Sequence, residues 1–173
     1  MFVEIYRGIT LHPGTFAAVV SPEQAVTAAL TGNHDLRRFL LLVLTGPGSR
    51  LGAGISGTFP DAEIRTITCA GQLLEGLRDA HHTIVLVGHD PALFDGCEET
   101  AAPVAAALRA LGREALVILH TESRDPVFAA LARNADRCLE IVPPDRTPAP
   151  SSRASAHSPG GHLPPAQTRL GVS

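Results

Sequence analysis

Two histidines with acids close behind them are the most chemically capable groups in the chain. His89-Asp90-Pro91 and His120-Thr121-Glu122 each follow an apolar run. Imidazole titrates near neutral pH, and a neighbouring carboxylate can orient it, exchange a proton with it or share a divalent metal. If the two runs are adjacent strands, His89, Asp90, His120 and Glu122 converge at one sheet edge. That set would suit an acid–base pair in phosphate-ester hydrolysis, or a divalent cation with Asp90 as the candidate ligand. The same residues have a plainer reading. Asp-Pro at 90–91 and again at 125–126 starts a helix well, with Asp as N-cap and Pro at the first helical position.

A glycine-rich stretch, TGPGSRLGAGISG over 45–57, supplies the second candidate. Such loops between a strand and a helix can aim backbone N–H groups at phosphate. Gly46, Gly48, Ser49, Arg50 and Gly52 are the residues that would hold a nucleotide. Residues 52–57 match G-x-G-x-x-G literally, the turn of a Rossmann-like domain. Thr45 to Ser49 resembles the opening of a Walker A loop, but the lysine is missing. All 14 basic residues of the chain are Arg and none is Lys. This excludes a Schiff base, a pyridoxal phosphate anchor, a Ser–Lys dyad and a Walker A lysine from this chain. Arg50 is the only cation of the loop, and its planar fork does not reproduce a lysine point charge.

The remaining sequence must position these groups. Short β-branched runs predict strands at 2–6, 15–20, 39–45, 63–68, 83–88, 115–120 and 137–142. Helices are expected at 22–31, 69–80, 97–112 and 125–134. Ser21, Pro22 and Gln24 form a capping signal for the first, and Thr68 one for the second. Pro103 moves the start of the third to about Ala101, and Gly112 stops it. FLLLVL, TIVLVG and ALVILH do not alternate polar with apolar, so they read as strands buried on both faces of a parallel sheet. Strands alternating with helices predict a three-layer α/β sandwich with a mostly parallel central sheet. Ligands of such sheets gather at the carboxyl ends of strands, where both candidates lie.

With 173 residues, the chain suits one domain and a tail. Residues 143–173 hold seven of the 14 prolines and no aromatic residue, and are expected to be disordered. Net charge is −3, split as −5 over 1–142 and +2 over 143–173. An acidic body makes nucleic acid an unsuitable partner. Cys69, Cys97 and Cys138 form no C-x-x-C and read as buried thiols of a reducing cytosol. His81 and His82 read as exposed. No apolar run reaches the roughly 20 residues of a membrane span. A cytoplasmic protein with no membrane partner is expected.

Residues 39–142 resemble the RecA-like P-loop ATPase core, especially its KaiC-like branch. TGPGS follows a first strand. TIVLVGHD stands where the Walker B strand would be, with Asp90 near the Mg²⁺-linked carboxylate. LVILHTES matches the strand that senses the γ-phosphate, and NADRCLEIVP the closing strand. The resemblance implies ATP or ADP as the nucleotide, and it implies a fourth strand lying between the first and the third. It leaves 1–38 as an N-terminal extension. Without the lysine and the Ser or Thr after it, it implies a degenerate member that hydrolyses little or no ATP. Such a domain would serve as a regulatory or protein-interaction module, bound to a protein partner or as a homo-oligomer. A Rossmann- or flavodoxin-like ligand-binding domain is the alternative. Val87-Gly88-His89-Asp90-Pro91 is also similar to the V-G-H-x-P segment of histidine phosphatases. Their Arg-His-Gly nucleophile has no counterpart in Tyr6-Arg7-Gly8.

Overall fold

The computed structural model describes residues 1–6 and 8–141. The chain divides into two units, 1–142 and 143–173, and the described residues all belong to the first. The disordered tail expected over 143–173 lies outside them.

Six strands form one wholly parallel sheet. In chain order they are β3 (Thr15–Val20), β4 (Leu41–Thr45), β5 (Glu63–Thr66), β6 (Ile84–Gly88), β7 (Leu116–Thr121) and β8 (Arg137–Glu140). Their spatial order is β5-β4-β6-β7-β3-β8. Before them, β1 (Val3–Tyr6) and β2 (Ile9–Leu11) make a separate antiparallel pair. Gly8 turns that hairpin at φ 79°, a backbone region that L side chains avoid. The helices are α1 (Glu23–Thr31), α2 (Leu51–Ser56), α3 (Ala70–Arg78), α4 (Ala101–Leu111) and α5 (Pro126–Ala132).

Alternation along the buried strands builds two cores, one on each face. Leu42, Leu44, Val85, Val87, Val117 and Leu119 pack under α3, α4 and α5, through Leu73, Leu77, Val104, Leu108, Phe128 and Leu131. Val43, Leu86, Ile118 and Val19 face the other way, onto Val26 and Leu30 of α1, Leu51 and Ile55 of α2, and Val3 and Leu11 of the hairpin. This is the expected three-layer α/β sandwich, and every strand of its central sheet runs in one sense. All six positions of β7 are buried, as are all five of β4 and of β6.

Several expectations need correction. The strand at 116–121 does not lie between those at 41–45 and 84–88. Instead β6 lies between β4 and β7. The reason is β3: Phe16 to Val20 are all buried and take β7 on one side and β8 on the other. Residues 15–20 are therefore an interior strand of the sheet. The glycine-rich stretch, read as a loop, is in part a helix. Leu51 and Ile55, four apart, are buried anchors that turn residues 51–56 into a helix. The G-x-G-x-x-G match thus lies within and just after a helix, and forms no Rossmann turn.

Helix starts follow the sequence in part. Asp90 caps a 3₁₀ turn at Pro91–Phe94 by accepting from the Ala92 N–H at 3.0 Å. Asp125 caps α5 by accepting from the Phe128 N–H at 2.9 Å. α4 begins at Ala101 and its N–H ladder closes on Gly112. Ser21 does not cap α1, because its hydroxyl donates to the Pro22 carbonyl. Thr68 is one residue early: Cys69 is the N-cap of α3, and the Gln72 side chain reaches back to the Thr68 N–H and hydroxyl. The cysteines are not buried; Cys69 and Cys138 are exposed and Cys97 half-buried. Cys69 stands at a helix start and Cys138 on the outer strand β8, while Cys97, in a turn, packs against the rim of the core. His82 is buried where exposure was expected, because its imidazole closes over the base of β5 and donates from Nε2 to Glu63 Oε2 at 3.1 Å. Among the described residues no helix is long and apolar enough to cross a membrane.

A candidate functional site at the carboxyl edge of the sheet

The parallel strands end together, so the loops after β3, β4, β6 and β7 meet at one edge. They enclose a cleft of about 250 Å³. Gly46, Gly48 and Ser49 line it from the loop after β4, His89 and Asp90 from the loop after β6, and His120 and Glu122 from the end of β7. The two His-bearing ends and the glycine loop therefore do meet. β6 and β7 are direct neighbours, with the His89 N–H on the His120 carbonyl at 2.7 Å.

Each candidate histidine and carboxylate at this edge is engaged within the protein. Pleat alternation points His89 to the α4–α5 face, where its ring packs 5.6 Å from Phe128 and 6.1 Å from Phe94. Its Nε2–H donates to Asp125 Oδ2 at 2.6 Å, and the side chain is only 1% exposed. Burial alone would raise the Asp125 carboxyl, but the Phe128 N–H and His89 outweigh it and hold the group below the usual carboxylate range. His120 points to the opposite face and is buried. Its Nε2–H donates to the Ser21 carbonyl at 2.8 Å. Burial lowers its pKa, against the raising effect of that bond and of Glu23 and Glu122, so the ring stays neutral at pH 7.

The carboxylates are engaged too. Glu122 Oε1 accepts from the Glu23 N–H at 3.1 Å and so supplies the cap that Ser21 does not. Glu23 Oε1 accepts from the Ser49 hydroxyl at 2.7 Å, and both its oxygens lie within 3.3 Å of the Arg50 N–H. A side-chain anion thus sits at the turn where a phosphate was expected. Asp90 is pressed against Gly46, where a Cβ would come within 2.6 Å of Oδ2. Gly52 is a packing glycine: a Cβ there would meet Ile64 Cγ2 at 2.8 Å. Gly48 and Arg50 are exposed. No arginine lines the cleft among the described residues, while three carboxylates do. No group of three His, Cys, Asp or Glu side chains among the described residues has metal-binding geometry.

Sequence reasoning missed Glu23 and treated Asp125 only as a cap. Glu23 carries no signal in one dimension, since a glutamate early in a helix is favourable on dipole grounds alone. Its partner Ser49 is 26 residues away. Asp125 had the second oxygen of its carboxylate free for a partner 36 residues back.

Fold and site together define a three-layer α/β protein with a single parallel sheet, whose carboxyl-edge cleft is walled by carboxylates that cap its own helices. No family model matches the chain. An uncharacterized protein of Archaeoglobus fulgidus is 32% identical over 140 residues, which span 80% of this chain and 67% of that protein. The chain belongs to the same family as that archaeal protein.

Proposed function

We propose that the chain is a degenerate RecA-like domain that acts as a regulatory or protein-interaction module and neither binds nor turns over nucleotide. The strand order supports the RecA-like reading once the frame is moved. In that family the fourth strand lies between the first and the third. β7 lies between β6 and β3, so β3, not β4, takes the place of the first strand. The phosphate loop would then fall between Val20 and Glu23, where only Ser21 and Pro22 stand. Neither residue is a glycine or a cation.

The observation that carries the non-catalytic reading is the Glu122 carboxylate on the Glu23 N–H, at the start of α1. An anion of the protein occupies the helix end that a phosphate would need. Further carboxylates beside it oppose a polyphosphate through like-charge repulsion. The buried and bonded state of His89 likewise favours a structural role over acid–base work. Three free cysteines fit a reducing cytoplasm. The test is thermal unfolding of the full chain with and without millimolar ATP or ADP and Mg²⁺. A ligand at 100 times its dissociation constant adds about 2.7 kcal/mol, a shift of several degrees. The expected result is an unmoved midpoint. A shift of several degrees overturns this reading.

A further inference from the structure

We infer that β5 is a self-pairing edge, through which two copies of the chain join their sheets antiparallel about a two-fold axis at Ile64. This rests on the reading of the chain as an interaction module and names the surface.

β5 is an outer strand, and β4 is its only strand partner among the described residues. The Ile67 N–H donates to the Thr45 carbonyl. Backbone groups alternate along a strand, so Glu63 and Arg65 address β4, while Ile64 and Thr66 direct their N–H and C=O outward. An unpaired row of this kind is a template for another strand. Ile64 is one of three large hydrophobic side chains that are exposed among the described residues, at 38%.

The register follows from the chemistry of four residues. An antiparallel partner must set outward-facing residues opposite outward-facing ones. A two-fold axis at Ile64 does so: Ile64 of each copy exchanges two backbone hydrogen bonds with the other, and Glu63 lies opposite Arg65 in a close, non-bonded pair. An axis at Arg65 would set arginine against arginine. One at Thr66 would leave Arg65 facing Ile67. Only the axis at Ile64 pairs opposite charges twice over, which is the self-complementarity a two-fold interface requires. Arg65 is ready for it. Its Nε donates to its own Glu63 at 2.5 Å, and its terminal nitrogens have no hydrogen-bond partner among the described residues. The pair is partly exposed, at 34% and 42%.

The test is sedimentation velocity on the full chain from micromolar to millimolar concentration, with amide hydrogen exchange at both ends of the range. Expected is a reversible dimer, in which the Ile64 and Thr66 amides gain protection as concentration rises. Arg65→Glu sets a carboxylate against the partner's Glu63 twice over and weakens the dimer about tenfold or more. Arg65→Lys keeps the charge and the dimer. Thr66→Pro, which removes an outward N–H and no sheet bond, weakens it as well. Circular dichroism and the unfolding midpoint report that each variant is folded. A chain that stays monomeric at every concentration overturns the self-pairing edge. A dimer that Arg65→Glu and Thr66→Pro leave intact also overturns it, while the interaction module survives with another surface. A nucleotide-induced midpoint shift bears on the module alone.

Discussion

The Glu23 carboxylate accepts from the Ser49 hydroxyl at 2.7 Å and thereby fastens the start of α1 to the turn before α2. Glu23 opens the helix after β3 and Ser49 lies in the loop after β4, and Arg50 adds its N–H to the same carboxylate. Hydrogen bonds to a charged acceptor are each worth about 1.5–3 kcal/mol when sheltered and less when partly exposed, as here. Glu23→Ala is expected to cost about 1–2 kcal/mol in urea unfolding. Unchanged stability would show that the joint carries no load.

Asp125 provides a test in acid. Its folded pKa lies below the usual value, because the Phe128 N–H and His89 overcome the opposing effect of burial. A carboxyl with a depressed folded pKa contributes stability that is complete above its unfolded pKa of about 3.9, and that is lost as pH falls through the folded value. The wild-type chain should therefore lose stability below about pH 4 more steeply than Asp125→Asn. Chemical unfolding at stepped pH reads the slope; parallel curves would remove Asp125 from the account.

His120 acts in a different window. Burial depresses its pKa, so the unfolded chain takes up a proton more readily than the folded one. Its stabilising contribution is full above the unfolded value of about 6.5 and declines as pH falls through the folded one. His82, also lowered by burial, works in the same direction. Between about pH 7.5 and 5.5 the wild-type chain should lose stability, and His120→Gln should lose less. An equal loss in both would assign the whole effect to His82 and other groups.

Gly46 separates packing from ligand binding. A Cβ at this position would displace the Asp90 carboxylate, which caps the turn at Pro91–Phe94. Gly46→Ala should lower stability by about 1 kcal/mol, the usual value of a lost N-cap. In Asp90→Ala the carboxylate and the cap are already gone and only the Cβ at 3.1 Å remains, so adding Gly46→Ala should cost less than it does in the wild-type chain. A double-mutant cycle measures this coupling, and additive losses would contradict it.

Burial was the part of the fold most legible in the sequence. FLLLVL, TIVLVG and ALVILH cover most of β4, β6 and β7, and their unbroken apolar character announces a parallel sheet covered on both faces. Strand order was less accessible, since β3 looked like any other apolar run and its partners β7 and β8 lie about a hundred residues ahead. α2 was hidden by its glycines, although Leu51 and Ile55 hold the helical spacing. In the cleft, Asp90 and Asp125 were readable as caps because capping is local. Glu23 on Ser49 and Asp125 on His89 were not, because those bonds join segments that only the closed sheet brings together.

β3 is made about a hundred residues before any strand it pairs with. Thr15 meets Leu116, and Ala17 meets Arg137. Until β7 and β8 have left the ribosome, the buried run Phe16–Val20 has no strand beside it. Pairings this distant in sequence must be reached across long loops, which slows folding and leaves sticky intermediates exposed meanwhile. Nascent chains halted before residue 116 should consequently hold β3 accessible to chaperones, and the sheet closes only once β7 and β8 have emerged.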